Sequence, residues 1–152
     1  MTASTPQPRP VIRPMTLADH DDVMNLMAQT PGVTLRDADS QEATARYLER
    51  NPGLSFVATA SGSIVGCVLS GHDGRRGYLQ HLVVHPAWRH RGIGTTLVTH
   101  CLTGLERLGI FKSHVDVLHT NAPAQKFWEG LGWQLRTDIR RYSFVHGGRD
   151  NA

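Results

Sequence analysis

"WRHRGIGTTL", Trp88 to Leu97, sets three basic side chains ahead of two glycines spaced one residue apart, then runs into helical periodicity. Glycine inside a helix costs about 1 kcal/mol against alanine, so Gly92 and Gly94 at a helix start need a compensating role. One such role is close packing of the helix on the strand before it. The other is an anion. The first N–H groups of a helix lack intrahelical partners, the helix dipole makes that end positive, and a missing Cβ lets a bulky phosphate approach. Arg89, His90 and Arg91 stand directly before the glycines and add attraction.

The common phosphate patterns do not fit this stretch. No G-x-x-x-x-G-K-[ST] occurs, and G-x-G-x-x-G breaks at Leu97. Asp116 lies near the distance at which a dinucleotide site carries its acidic residue, but within a strand pattern rather than at its end. Taken alone, the glycines leave packing and phosphate binding both open.

The rest of the chain bounds the answer. With 152 residues, 39% hydrophobic and 19% charged, it suits one soluble globular domain. No run approaches the ~20 apolar residues of a membrane span. "MTASTPQPRP" has no apolar leader, and two cysteines form no disulfide framework, so a cytoplasmic protein is expected. The formal charge of +3 comes from scattered arginines without interleaved aromatics, which argues against nucleic acid and suits a small anionic ligand. The nine histidines show no zinc-site spacing, so no metal is expected.

Read along its length, the chain gives strand, two helices, three strands, a long helix, a strand, a short helix and a final bent strand. Thr16 and Asp19 suggest a capping box, and Ser40 an N-cap for the second helix. Ser61-Gly62 reads as a hairpin turn between 54–60 and 63–71. "GYLQHLVVH", 77–85, is an apolar strand closed by Pro86, and the long helix covers about Gly92 to Leu108 with Gly109 as its stop. Strands are also predicted over 113–119 and within 133–145. The expected class is a single α/β (α+β) domain over 10–146, with disordered tails at 1–9 and 147–152.

The wider context of the opening stretch carries a resemblance. "LVVHPAWRHRGIGTTLV", 82–98, resembles motif A of the GNAT superfamily of acetyl-CoA-dependent acyltransferases: Arg89-x-x-Gly92-x-Gly94 follows an apolar strand and x-Pro. "VDVLHTNAPAQKFWEGLGW", 115–133, resembles a second block of that superfamily, with Asn121, Ala124, Phe127, Gly132 and Trp133 in register. Element order agrees over nearly the whole chain.

The resemblance implies a mixed sheet of six to seven strands, about four helices, and a cleft where the fourth and fifth strands splay apart. It places the pyrophosphate of acetyl-CoA on the backbone of His90, Arg91, Gly92, Ile93, Gly94 and Thr95, with Arg89 beside it. It lays the pantetheine along Leu82, Val83 and Val84, with the Val84 N–H polarising the thioester and the Asn121 side chain binding the arm. It implies acetyl transfer to an amine of a small molecule or peptide. Asp116 aligns with a carboxylate that serves as base in some members, although pairing with a nearby Arg or His is the competing role. Tyr78 and Gln80 stand where others carry Glu or His bases. Trp128 replaces a frequent tyrosine acid and is expected as a wall of the cofactor channel. His81 has the opposite strand parity and reads as structural. A binding module that kept the cofactor site and lost the chemistry is the alternative, and a homodimer is left open.

Overall fold

The computed structural model describes residues 8–152; the expected tail at 1–9 falls mostly outside them. Five strands form one sheet in the order β1 (Val11–Pro14), β2 (Phe56–Ala60), β3 (Ser63–His72), β4 (Gly77–Val84) and β5 (Ser113–Val115). The first four are antiparallel neighbours; β5 runs parallel to β4. That parallel step requires a crossover, supplied by α3 (Ile93–Arg107).

Each sheet face takes its own helices. Strand alternation sends Phe56, Ala58 and Ala60 to one side, where Leu97, Val98, Cys101 and Leu105 of α3 pack with Trp128 of α4 (Ala122–Gly130). Val57 and Val83 point to the other side, against Val23, Leu26 and Met27 of α1 (His20–Ala28). The partly buried Tyr47 and Leu48 of α2 (Gln41–Arg50) complete that layer.

Local chemistry sets the boundaries. Ser61 (φ 51°) and Gly62 (φ 79°) are both left-handed, as a two-residue hairpin turn needs. The Ser40 side chain accepts from the Ala43 N–H and starts α2. Thr16 and Asp19 form the expected capping box, and Arg13 meets the Asp19 carboxylate through two 2.7 Å bonds. Those bonds hold the Asp19 carboxyl below the ordinary range. Gly109, at φ 80°, ends α3.

Among the described residues the sheet has five strands rather than six to seven. The strand expected over 113–119 stops at Val115, because β4 and β5 pair only from Gly77–Ser113 to Leu79–Val115. Residues 133–145, which alternate like a strand, form none and join no ladder. The C-terminal residues 147–152, expected as a disordered tail, approach Asp37, whose N–H donates to the Asn151 carbonyl at 2.9 Å.

Candidate active site

Beyond Leu79 the β4 edge facing β5 has no strand partner, so the sheet opens into a splay along Gln80 to Val84. Backbone groups alternate in direction along a strand. The His85 N–H donates to the Val65 carbonyl on the β3 side, so the N–H groups of Val84 and Leu82 face the splay, and that of Val83 faces β3. The Val84 carbonyl accepts from Arg89 Nε at 3.1 Å, which ties the first arginine of the glycine stretch to the mouth of the opening.

The start of α3 closes that mouth. Its backbone bonding begins with the Thr96 N–H on the Gly92 carbonyl, leaving the N–H groups of Ile93, Gly94 and Thr95 without a helical acceptor. His90 (φ 63°) and Gly92 (φ 78°) are both left-handed, an alternation that turns successive N–H groups toward one concavity. No acidic residue stands in the first turn. Arg91 lies over the Trp88 ring, 4.9 Å from its centroid.

The two glycines do different things. A Cβ at Gly92 would meet nothing within 4 Å; the residue is glycine for its backbone angle. A Cβ at Gly94 would lie 3.3 Å from the Phe127 ring of α4. Packing and an open N–H cradle therefore coexist in one turn.

Asn121 caps α4, its Oδ1 accepting from the Ala124 N–H at 3.1 Å, and its amide group remains for other partners. Trp128 is buried, edge-to-face with Phe127 (5.2 Å) and Trp133 (4.6 Å). Phe127, one residue earlier, is the ring against the glycine turn.

Tyr78 and Asp116 meet at the lower end of the splay. The Tyr78 hydroxyl donates to Asp116 Oδ2, and Arg141 Nη1 reaches the same oxygen at 2.5 Å and the Tyr78 oxygen at 3.3 Å. The Arg141 guanidinium also lies over the Tyr78 ring. Partial burial, then the bond to Asp116, raises the Tyr78 phenol above its ordinary range, so it stays protonated and donates. The expectation that Asp116 sits within an uncharged strand is corrected: it lies past the end of β5, its side chain 54% exposed, because the splay removes the strand partner there.

A cavity of about 680 Å³ is lined by Asp39, Tyr47, Leu69 and Gln80. A smaller one of about 260 Å³ is lined by Tyr47, His72, Arg76, Tyr78 and His114. Tyr47 borders both, its phenol pushed up to about 12 by burial. His81 adopts φ 52° where β4 carries an extra residue, Cys67 pairing with Val83 but Leu69 with Gln80. This bulge turns His81 to the same side as Gln80, where Nε2 lies 2.8 Å from Asp39 Oδ1. Among the described residues no group of three His, Cys, Asp or Glu side chains could hold a metal ion.

The Acetyltransferase (GNAT) family profile matches residues 20–133. The chain belongs to the GNAT acetyltransferase family. It is 35% identical over 96 residues to an acetyltransferase of Pectobacterium atrosepticum, covering 63% of this chain and 68% of that protein. Two solved structures share the GNAT fold. Ard1 from Thermoplasma volcanium superposes with a TM-score of 0.75 at 18% identity, over 84% of each chain. The aminoglycoside N-acetyltransferase AAC(6')-Iy, solved with a bisubstrate analogue of CoA, superposes with a TM-score of 0.71 at 22% identity, over 91% of this chain and 99% of that one. Among the described residues of this GNAT protein no helix is long and apolar enough to cross a membrane.

Arg141, Tyr47 and Asp39 escaped the sequence reading. No motif marks them, and only the fold brings them to β4. The strand-like spacing of 133–145 was the one available signal for Arg141.

Proposed function

We propose that this chain is an acetyl-CoA-dependent N-acetyltransferase acting in the cytoplasm on a primary amine of a small molecule or peptide. The observation that carries the reading is the three-rung β4–β5 ladder opening directly onto the uncapped start of α3. The cradle fits the group: free N–H donors, no carboxylate in the first turn of α3 and a glycine turn open on its outer side. The backbone of His90 to Thr95, with Arg89 and Arg91, would hold the pyrophosphate, and the open edge at Leu82 and Val84 would pair with the pantetheine.

The acceptor nitrogen attacks the thioester carbon, the C–S bond breaks, and the carbonyl oxygen passes through an oxyanion. The Val84 N–H faces that space; deleting such a donor typically costs about 3–4 kcal/mol. An amine is protonated at neutral pH and must lose a proton to attack. Asp116 is the base in this reading, taking the proton once the ammonium replaces Arg141 on its carboxylate. The Tyr78 hydroxyl steadies the same oxygen. As the amide forms the nitrogen gives up its second proton to solvent, and the thiolate, with an ordinary thiol pKa of about 8.5, leaves without the phenol that other members supply and is protonated by solvent.

The binding-module alternative draws support from Trp128, which is buried and offers no acid, and from the Arg141–Asp116 pair. Titration calorimetry with CoA, followed by an acceptor screen that detects free thiol, separates the readings. Amine-dependent thiol release is expected. CoA binding without release for any amine sinks the enzyme reading, and absence of CoA binding sinks both. Asp116→Asn should lower turnover by about 10²–10⁴ with CoA affinity nearly unchanged; normal turnover removes Asp116 from the base role.

A further inference from the structure

The cavity of about 260 Å³ at the β3–β4 turn is built mainly of hydrogen-bond donors. His72 Nδ1 accepts from the Gly74 N–H at 3.0 Å, so the neutral ring carries its proton on Nε2, a donor. Arg76 sends one N–H to the Arg75 carbonyl at 3.1 Å and keeps the rest of its fork. β5 adds the His114 imidazole, opposite Tyr78 in the β4–β5 register. A Cβ at Gly71 would come within 2.7 Å of the Asn51 amide and the Tyr47 hydroxyl, so both reach this cavity because the strand is bare there. The acceptor atoms of the same cavity are engaged. Asn51 Oδ1 takes the His72 N–H at 3.1 Å. Asp73 is the one acid among the lining residues, and its Oδ1 takes the N–H groups of Arg76 and Arg75, each at 2.8 Å. Those bonds hold its carboxyl below the ordinary range. Two arginines against one aspartate leave the turn His72-Asp73-Gly74-Arg75-Arg76 net positive. A concavity rich in free N–H and poor in free oxygen suits an oxyanion, and a guanidinium matches carboxylate and phosphate alike.

Tyr78 ties this cavity to the chemistry: it lines the cavity and also donates to Asp116. His114 and Asp116 are two residues apart, at most about 7 Å along the chain. From this juxtaposition we infer that the acceptor carries a carboxylate or phosphate a short chain away from its amine, with the amine on Asp116 and the anion on His72, Arg76 and His114. The acceptor's identity rests on the acetyl-transfer reading; the anion site does not. An amine without the acid group leaves those donors unpaired and is discriminated against for that reason.

Titration of the full chain with sodium phosphate and, separately, with sodium acetate at fixed ionic strength tests the site by NMR. Saturable shifts are expected at the His72 and His114 rings and at Arg76 Nε from at least one of the two anions. A response to phosphate alone assigns the group as a phosphate, to acetate alone as a carboxylate. Arg76→Ala, which replaces an exposed side chain, should keep the wild-type far-UV circular dichroism and lose the shifts at both histidines. Thiol release then compares β-alanine with ethylamine, and phosphoethanolamine with ethanolamine. The acid member of at least one pair should lead by about tenfold or more in kcat/KM, through KM, as a hydrogen bond to a charged group provides. That ratio should fall toward one in Arg76→Ala. No saturable shift from either anion, shifts that survive Arg76→Ala, or equal kcat/KM within both pairs overturns the inference. Anion binding with no thiol release from any amine refutes the transfer reading and keeps the site. Thiol release without anion binding refutes the site and keeps the transfer reading.

Discussion

At the residue scale, Gly92 and Gly94 separate two demands that share one turn. Gly92→Ala has room for its Cβ but must hold φ near 78°, a left-handed angle that costs an L-residue about 1–2 kcal/mol. Gly94→Val must push Phe127, whose ring lies 3.3 Å from the built Cβ, and overpacking of this kind costs about 1–3 kcal/mol. Both variants should melt at lower temperature without ligand. Calorimetry then compares their CoA affinities with wild type. Gly94→Val is expected to lose binding beyond its loss of stability, since its branch crowds the free N–H groups. If its affinity equals that of wild type, Gly94 serves packing alone.

At the scale of elements, the β4 bulge links the sheet to the segment between α1 and α2. His81 holds a left-handed angle inside a strand, a strain of about 1–3 kcal/mol opposed by its bond to the buried Asp39. The other oxygen of Asp39 accepts from the Arg36 N–H at 2.8 Å. Asp39→Ala strips both donors of their acceptor and should cost about 1–3 kcal/mol. Faster amide exchange at residues 36–40 with an intact core is the expected signature; unchanged exchange there would show that the bulge stands without its anchor. Local signals made much of this architecture readable in advance. The Ser40 cap, the Thr16–Asp19 box, the Ser61-Gly62 turn and the α3 boundaries all follow from side chains bonding or bending their own backbone. The β4–β5 splay was expected only through family resemblance, since nothing in the residues of a strand states where its partner leaves. The same reason explains the missing strands. Alternation over 113–119 and 133–145 records strand propensity, but a ladder needs a neighbour, and that is decided elsewhere in the chain. Arg141, more than sixty residues beyond Tyr78, is the functional counterpart of the same limit.

For the whole molecule, the buried ionisable groups set the pH range of stability. Cys67, Cys101 and Tyr47 are each pushed up to about 12 by burial, from ordinary values of 9.0 and 10.0. The unfolded chain releases these protons earlier than the folded one. Stability is therefore full below about pH 9 and falls as pH rises toward 12. Asp19 has the opposite sign: its carboxyl is lowered by Arg13, so its contribution is present above the ordinary carboxylate range and fades as acid protonates it. Denaturant melts across this range should show a neutral plateau with an alkaline decline. Cys67→Ala combined with Cys101→Ala should flatten that decline, even though the smaller core lowers the plateau. An unaltered alkaline slope would assign it to other groups.

The brevity of the β4–β5 attachment also governs how the fold comes apart. Three pairings join β5 to the rest of the sheet, whereas β2, β3 and β4 are consecutive antiparallel neighbours with long registers. Such a meander closes short loops first and opens last. Residues from Ser113 through α4 are therefore expected to detach ahead of global unfolding, read as faster amide exchange there than in β2 to β4. A molecule lodged in the splay touches both this unit and the meander, so it binds only when they are docked. By linkage, every tenfold rise in its concentration above its dissociation constant then makes that detachment about 1.4 kcal/mol harder. The occupant of the cleft thus acts as a rung of the sheet, and its departure leaves the segment from Ser113 onward free to breathe.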